Sequence, residues 1–308
     1  QQRRLPTTTT PNNDEALMRF HYADAMIEPA FYLPLARALE AAGWDGMTIP
    51  DSICYPEVSD SKYPYTPDGS REFLEDKPFL EPMSLIPALA AVTEKLTFTT
   101  FVMKLPVRHP VLVAKSISTV SVLSGGRLNY GVGISPWPDD YRVLNVPWKG
   151  RGKRMNEMID IVRGLETGDY FSWDGEVFSF ESIKICPVPK KPTPILIGGH
   201  SEAALKRAAR VGDGWLHAGG DDGELQRMIA RIGELRDEYG TTERPFRIGV
   251  ISLHAFQLDG VAKLAEMGVT DIIIGFRNSY QMRQDAETLQ HKIEMLQMYA
   301  DRVIRKYT

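Results

Sequence analysis

The strongest chemical signal in this 308-residue chain is the run Ile197-Gly198-Gly199-His200-Ser201-Glu202. Two adjacent glycines let a backbone approach a ligand closely. The run enters a predicted helix, whose free N–H groups and positive dipole end form a ready anion site. Ser201 adds a hydroxyl and His200 sits within the turn; a plain N-cap role for Ser201 is the alternative. Arg151, Lys153 and Arg154 open another predicted helix, where each cation opposes the dipole at a cost of about 0.3–1 kcal/mol. The compensating anion is either a ligand phosphate or one of the internal acids Asp139, Asp140 and Glu157. Gly131-Val132-Gly133 is only weakly like a dinucleotide motif. Pro136 holds the third glycine position and no helix follows at once, which argues against a Rossmann site. These glycines instead predict a ligand lying close to their strand.

Proton-transfer candidates also fall at predicted strand ends: Asp51, His21, His217, His254 and Lys104. Histidine titrates in the range useful to an acid or base near neutrality; a packed, structural role is the alternative for each of these residues. His217 and His254 are the foremost histidines, and Asp51 the foremost acid. No cluster has metal-ligand spacing, so no metal is expected. Lys104 is the only lysine placed at a strand end, which disfavours an aldolase-type barrel.

The elements that must position these groups alternate strand and helix eight times between Met18 and Thr308, which is what one closed (β/α)8 barrel needs. Predicted strands are Met18–Ala23, Met47–Pro50, Leu96–Met103, Arg127–Val132, Pro194–Gly198, Gly214–His217, Phe246–Ser252 and Thr270–Phe276; the last helix spans Gln284–Arg302. The strands are short apolar runs rather than alternating ones, as buried parallel strands require. Such a barrel carries its chemistry in the loops after the strands. The segment Ile53–Leu80, with Tyr55, Tyr63 and Tyr65, lies on that face and predicts a lid or binding loop. Trp137 and these tyrosines would wall an apolar pocket or simply pack the loop. Tyr170–Cys186, with Asp174-Gly175 between aromatic arms, predicts a structural hairpin on the opposite, stability face. Residues 1–17 are polar, lack the apolar core of a secretory signal and read as a flexible tail, with Met18 as a natural start and 18–308 as one domain.

Bulk numbers narrow the class. A net charge of −4 argues against a broad nucleic-acid or anionic-membrane surface, and two distant cysteines match no disulfide or zinc pattern. No run of about 18 apolar residues exists to span a membrane. The expectation is a cytoplasmic enzyme acting on a small molecule.

Three stretches, LPVRHPVLVAKSISTVSVLSGGRLNYGVG, PWKGRGKRMNEMIDIVRGL and PTPILIGGHSEAALKRAARVGDGW, resemble in order and approximate spacing the luciferase-like flavin and deazaflavin oxidoreductases. Within that superfamily the chain is more similar to the branch using the deazaflavin coenzyme F420 than to the bacterial luciferases. The resemblance implies a homodimeric barrel with the ring in its mouth. It implies phosphate contacts at Ser201 and Lys153, and a non-proline cis peptide behind the ring at Phe101-Val102, although the usual first residue is small. Asp51 matches the branch's strand-2 Asp-His, whereas Ser52 replaces the histidine. Ser135-Pro136-Trp137 replaces a glutamate used by the sugar-phosphate dehydrogenases. The implied activity is hydride transfer between deazaflavin and a small or medium organic substrate. The alternatives are a two-component FMN monooxygenase and a flavin-binding protein without turnover.

Overall fold

Apolar strands flanked by amphipathic helices are stable only when both strand faces are covered, and a closed ring does this without leaving an edge. The computed structural model describes residues 18–63, 66, 68–278 and 285–307. In chain order the elements are β1 (Arg19–Ala23), α1 (Tyr32–Ala42), β2 (Gly46–Ile49), α2 (Pro82–Ala90), β3 (Thr97–Thr100), β4 (Met103–Lys104), α3 (Pro110–Leu123), β5 (Leu128–Gly133), α4 (Pro138–Val143) and α5 (Arg151–Leu165). They continue as β6 (Phe171–Asp174), β7 (Ser179–Ile183), β8 (Ile195–Gly198), α6 (Glu202–Val211), β9 (Gly214–His217), α7 (Asp222–Tyr239), β10 (Arg247–Ile251), α8 (Leu258–Glu266), β11 (Asp271–Ile274) and α9 (Leu289–Tyr299). Parallel pairing runs β3-β2-β1-β11-β10-β9-β8-β5, and β3 pairs with β5 to close the ring. The predicted (β/α)8 barrel is therefore present, with β3 and β4 together forming one of its eight staves. No described helix is long and apolar enough to cross a membrane.

Several boundaries differ from expectation. The third predicted strand is cut in two by a cis peptide between Phe101 and Val102, at the bond the resemblance singled out. The helix α4 was not foreseen. Its Pro138 at the first turn and its two leading aspartates are ordinary start signals, but six residues are too few to show periodicity. The last helix begins at Leu289 rather than Gln284, which lies outside the described residues, as do Tyr65 and residues 1–17.

Strand parity sorts the side chains. Tyr22, Met47, Phe98, Met103, Val132, Ile197, Trp215, Val250 and Ile272 pack outward against the helices in the main core. Leu196, Leu216 and Ile273 face the barrel axis, with Ala23, Phe101, Val102 and Ile251 packed on them toward the mouth. Below this apolar layer the axis is polar. Asp271 accepts two hydrogen bonds from Arg19 at 2.9 Å and lies 2.8 Å from Nε2 of His21, with Arg247 also bound. Burial would raise the Asp271 pKa, but these donors hold it well below the usual carboxylate range. His21 thus belongs to a plug below the apolar layer rather than to the reactive face.

Candidate active site

The mouth is floored by the apolar layer, and its glycines serve a purpose other than the one predicted. A Cβ on Gly133 would stand 2.8 Å from Cγ2 of Val102, and one on Gly198 would stand 2.9 Å from Cγ1 of the same side chain. At Gly131 a Cβ would collide with the Thr100 carbonyl oxygen. Room at Gly131 and Gly133 is therefore taken by the neighbouring strand, not left for a ligand. Val102 sinks into a notch between Gly133 and Gly198. A ring lying in the mouth would rest on Phe101 and Val102.

Asp51 stands at the end of β2 as expected, but its carboxylate is spoken for. Arg108 of the β4–α3 loop grips it through two 2.9 Å hydrogen bonds, and the Lys104 backbone N–H donates at 2.8 Å. The Asp51 side chain is only 1% exposed. This corrects its assignment as a proton-transfer group: it braces the ends of β2 and β4.

The turn after β8 keeps the predicted shape. Gly199 adopts φ +125°, which glycine tolerates and L side chains rarely adopt. The Ser201 hydroxyl accepts from the Ala204 N–H at 3.3 Å, so Ser201 does cap α6. His200 is exposed, its Nε2 accepts from the Ala218 N–H, and its ring stacks on His217 at 4.4 Å. His217 shares the outward face of Trp215, against which it also packs, so it flanks the turn rather than the floor of the mouth. Its Nδ1 accepts from the Gly219 N–H, leaving Nε2, in a residue 1% exposed, without a partner. Burial, and then the neighbouring His200, push its pKa down to about 4. His217 is therefore a neutral donor at physiological pH, not an acid–base shuttle. His254 is 50% exposed and pairs with Asp222, the first residue of α7; it lies on the rim, outside the mouth.

The helices α5 and α6 meet through Arg207. Arg207 of α6 donates to Asn156 and to the Gly152 carbonyl. Arg154 donates to the Pro106 carbonyl and lies over the Phe178 ring. Arg151 stacks 3.7 Å over Trp148 and leaves Nε buried without a partner. None of these three guanidiniums makes an ion pair among the described residues, and burial lowers the pKa of Arg154 and Arg207. The predicted acids do not compensate them. Asp140 pairs with Lys104, Asp139 with Arg142, and Glu157 accepts from the backbone N–H groups of Glu176, Val177 and Phe178. Lys153, expected at a phosphate, pairs instead with Glu176. That contact corrects the reading of the hairpin. Its tip between β6 and β7 folds back along α5 to the reactive end, where Phe178 also meets His109 ahead of α3.

The lid segment packs over the loop after β5. Ser59 hydrogen-bonds Asp139, and Tyr63 packs edge-on against Trp137 with ring centres 5.6 Å apart. Arg71 ties the segment to itself through the carbonyls of Pro56 and Glu57. The described residues hold no His, Cys, Asp and Glu group fit for a metal.

A family model described as luciferase-like monooxygenase matches residues 13–300. An uncharacterized protein of Mycobacterium tuberculosis (strain ATCC 25618 / H37Rv) is 57% identical over 289 residues, covering 94% of this chain and 100% of that protein. The FMNH(2)-dependent dimethylsulfone monooxygenase of Pseudomonas putida is 31% identical over 176 residues, 55% of this chain and 47% of that enzyme. Among solved structures, the coenzyme F420 dependent tetrahydromethanopterin reductase from Methanopyrus kandleri aligns with a TM-score of 0.72 at 14% identity, over 95% of this chain and 100% of that one, a likeness of fold.

Proposed function

The chain belongs to the luciferase-like monooxygenase family, and we propose that it is a coenzyme F420-dependent oxidoreductase moving a hydride between the deazaflavin ring and a small or medium organic substrate. The observation that carries this reading is a division of the reactive face. An apolar floor of Phe101, Val102, Ala23 and Ile251 suits a flat ring, and three guanidiniums of α5 and α6 without carboxylate partners, together with the Gly199–Ser201 turn that opens α6, suit a phosphate. Arg151, Arg154, Arg207 and the turn would hold the phosphate; the unpartnered Nε2 of His217 would donate to the same end of the molecule. When bound, the deazaflavin supplies the hydride chemistry, and the protein contributes position and electrostatics. The segment from Ile53 to Leu80 limits water above the floor.

The relatives named above divide between FMNH(2) and F420. Likeness of sequence to the deazaflavin branch at Asp51, Gly131-Val132-Gly133 and the Gly-Gly-His-Ser turn favours the deazaflavin, although Asp51 and the β5 glycines shape the mouth rather than touch the ligand. A fluorescence titration of purified protein with each cofactor tests the choice. Deazaflavin should bind at least about tenfold more tightly than FMN, about 1.4 kcal/mol. Equal or reversed affinities would move the assignment to a flavin monooxygenase.

A further inference from the structure

We propose that Lys104, fixed by Asp140 and Ser135, receives the oxygen of a carbonyl substrate in the mouth and exchanges a proton with it; this rests on the hydride-transfer reading above. The placement follows from strand register. Met103 pairs with Val132 and Lys104 with Gly133. Met103 and Val132 face the helices, whereas Gly133 faces Val102 on the axis side. Paired residues of neighbouring parallel strands point to the same face, so the Lys104 side chain rises on the mouth side, beside the floor formed by Val102.

Its partners keep it there. The Lys104 ammonium lies 2.9 Å from Oδ2 of Asp140, and that oxygen also accepts from the Ser135 hydroxyl. The Asp140 side chain is 1% exposed, against 14% for Lys104, so the carboxylate is the buried anchor and the lysine the more accessible partner. The other carboxylate oxygen, Oδ1, is buried without a partner, as is Nε1 of the adjacent Trp137. Tyr63 of the lid packs on that same Trp137, which roofs the lysine. A cation anchored from below, under a roof with an orphaned donor and an orphaned acceptor close by, is built to receive a polar group. The other ionisable candidates lie elsewhere: Asp51 is braced, His21 lies below the floor, His217 faces outward and His254 lies on the rim.

The step balances simply. A bound reduced deazaflavin would supply the hydride taken up by the carbonyl carbon; as the C=O π pair moves to oxygen, Lys104 would give that oxygen a proton. The ammonium becomes an amine, which solvent reprotonates; alcohol oxidation runs the same transfers in reverse. An ammonium can do this, whereas a guanidinium holds its proton throughout.

The test uses 4-nitrophenol as a coloured oxygen probe and the variants Lys104→Met, Lys104→Arg and Asp140→Asn. At a pH where the free probe is mostly phenol, the wild-type protein should bind it saturably in its yellow phenolate form. Lys104→Met should lose that signal at least about tenfold, Asp140→Asn should weaken it, and Lys104→Arg should keep it. In stopped-flow reduction of a ketone panel by reduced deazaflavin, Lys104→Arg should fall about 100-fold or more, the scale of a lost general acid, while deazaflavin affinity stays within about threefold. Absence of a saturable colour change in wild type, or an unchanged one in Lys104→Met, overturns the oxygen subsite. A Lys104→Arg variant that reduces ketones at the wild-type rate overturns the proton role. If the protein binds no deazaflavin, the reading above falls and the proton role with it, whereas the probe still decides whether Lys104 holds an oxygen.

Discussion

Gly133→Ala should destabilise the barrel by about 1–3 kcal/mol, the usual cost of forcing a methyl into a filled site, and Val102→Ala should relieve most of that cost. The new Cβ would meet Cγ2 of Val102 at 2.8 Å; once the Val102 methyls are gone, the nearest Val102 atom is its Cβ at 3.8 Å, an ordinary contact. Alone, Val102→Ala removes two partly buried methyls, about 1.5 kcal/mol at about 0.8 each. Simple addition would give a loss of roughly 2.5–4.5 kcal/mol for the double variant. The notch geometry makes the real loss smaller by at least about 1 kcal/mol. Urea unfolding of the four proteins, compared at a common slope, measures this coupling. Additivity within about 0.5 kcal/mol would mean that Val102 does not fill the notch, and the account of the mouth floor would fail. Gly131→Ala is the contrasting case. Its clash is with a backbone carbonyl, so trimming Val102 should rescue nothing.

Two further predictions concern the rim of the mouth. His217 has a folded pKa near 4, below its unfolded value near 6.5, so the unfolded chain binds the extra proton between those limits. Stability from this group is complete above about pH 6.5 and falls by up to roughly 3 kcal/mol toward pH 4; His217→Asn should flatten that part of the urea midpoint–pH curve, and parallel curves would refute it. Replacing Asp60–Glu75 with a short Gly/Ser bridge removes Tyr63 from Trp137 but leaves the α5–α6 arginines in place. Deazaflavin affinity should stay within a few-fold while turnover collapses; normal turnover would show that the segment is not a lid, and lost affinity would place it in the cofactor site.

What could be read from the chain and what could not divide along physical lines. Helix ends were legible because their determinants are local. Gly43 at φ +90° and Gly240 at φ +64° end α1 and α7, as a glycine after an apolar helical run announces, and Ser201 begins α6. The ring was legible because it repeats a local unit eight times. The site was legible only as a set of strand ends. Which way a strand-end side chain points depends on register, and an error of one residue exchanges mouth for helix face; His217 and Lys104 changed standing for this reason. Partners were the least legible. Asp51 and Arg108 are 57 positions apart, and Lys153 finds Glu176 only because a hairpin inserted before β8 folds back over α5. A glycine announces that something comes close, but not what: at Gly133 it is the neighbouring strand.

The seam of the ring lies between β1 and β11, and it has a consequence for biosynthesis. Arg19 reaches Asp271 across 252 positions, and Lys292 reaches Asp24 across 268. On a ribosome, β1 therefore waits through most of translation with one hydrogen-bonding edge bare, and a bare edge recruits stray strands. The charges at this seam make the wait selective. A foreign strand that offers no carboxylate opposite Arg19 leaves a cation without its partner, and only the native chain goes on to deliver Lys292 from α9 to the buried Asp24, where its side chain is 1% exposed in the finished ring. The ionic seam thus acts as a recognition code that lets the nascent chain hold its first strand for its own last one.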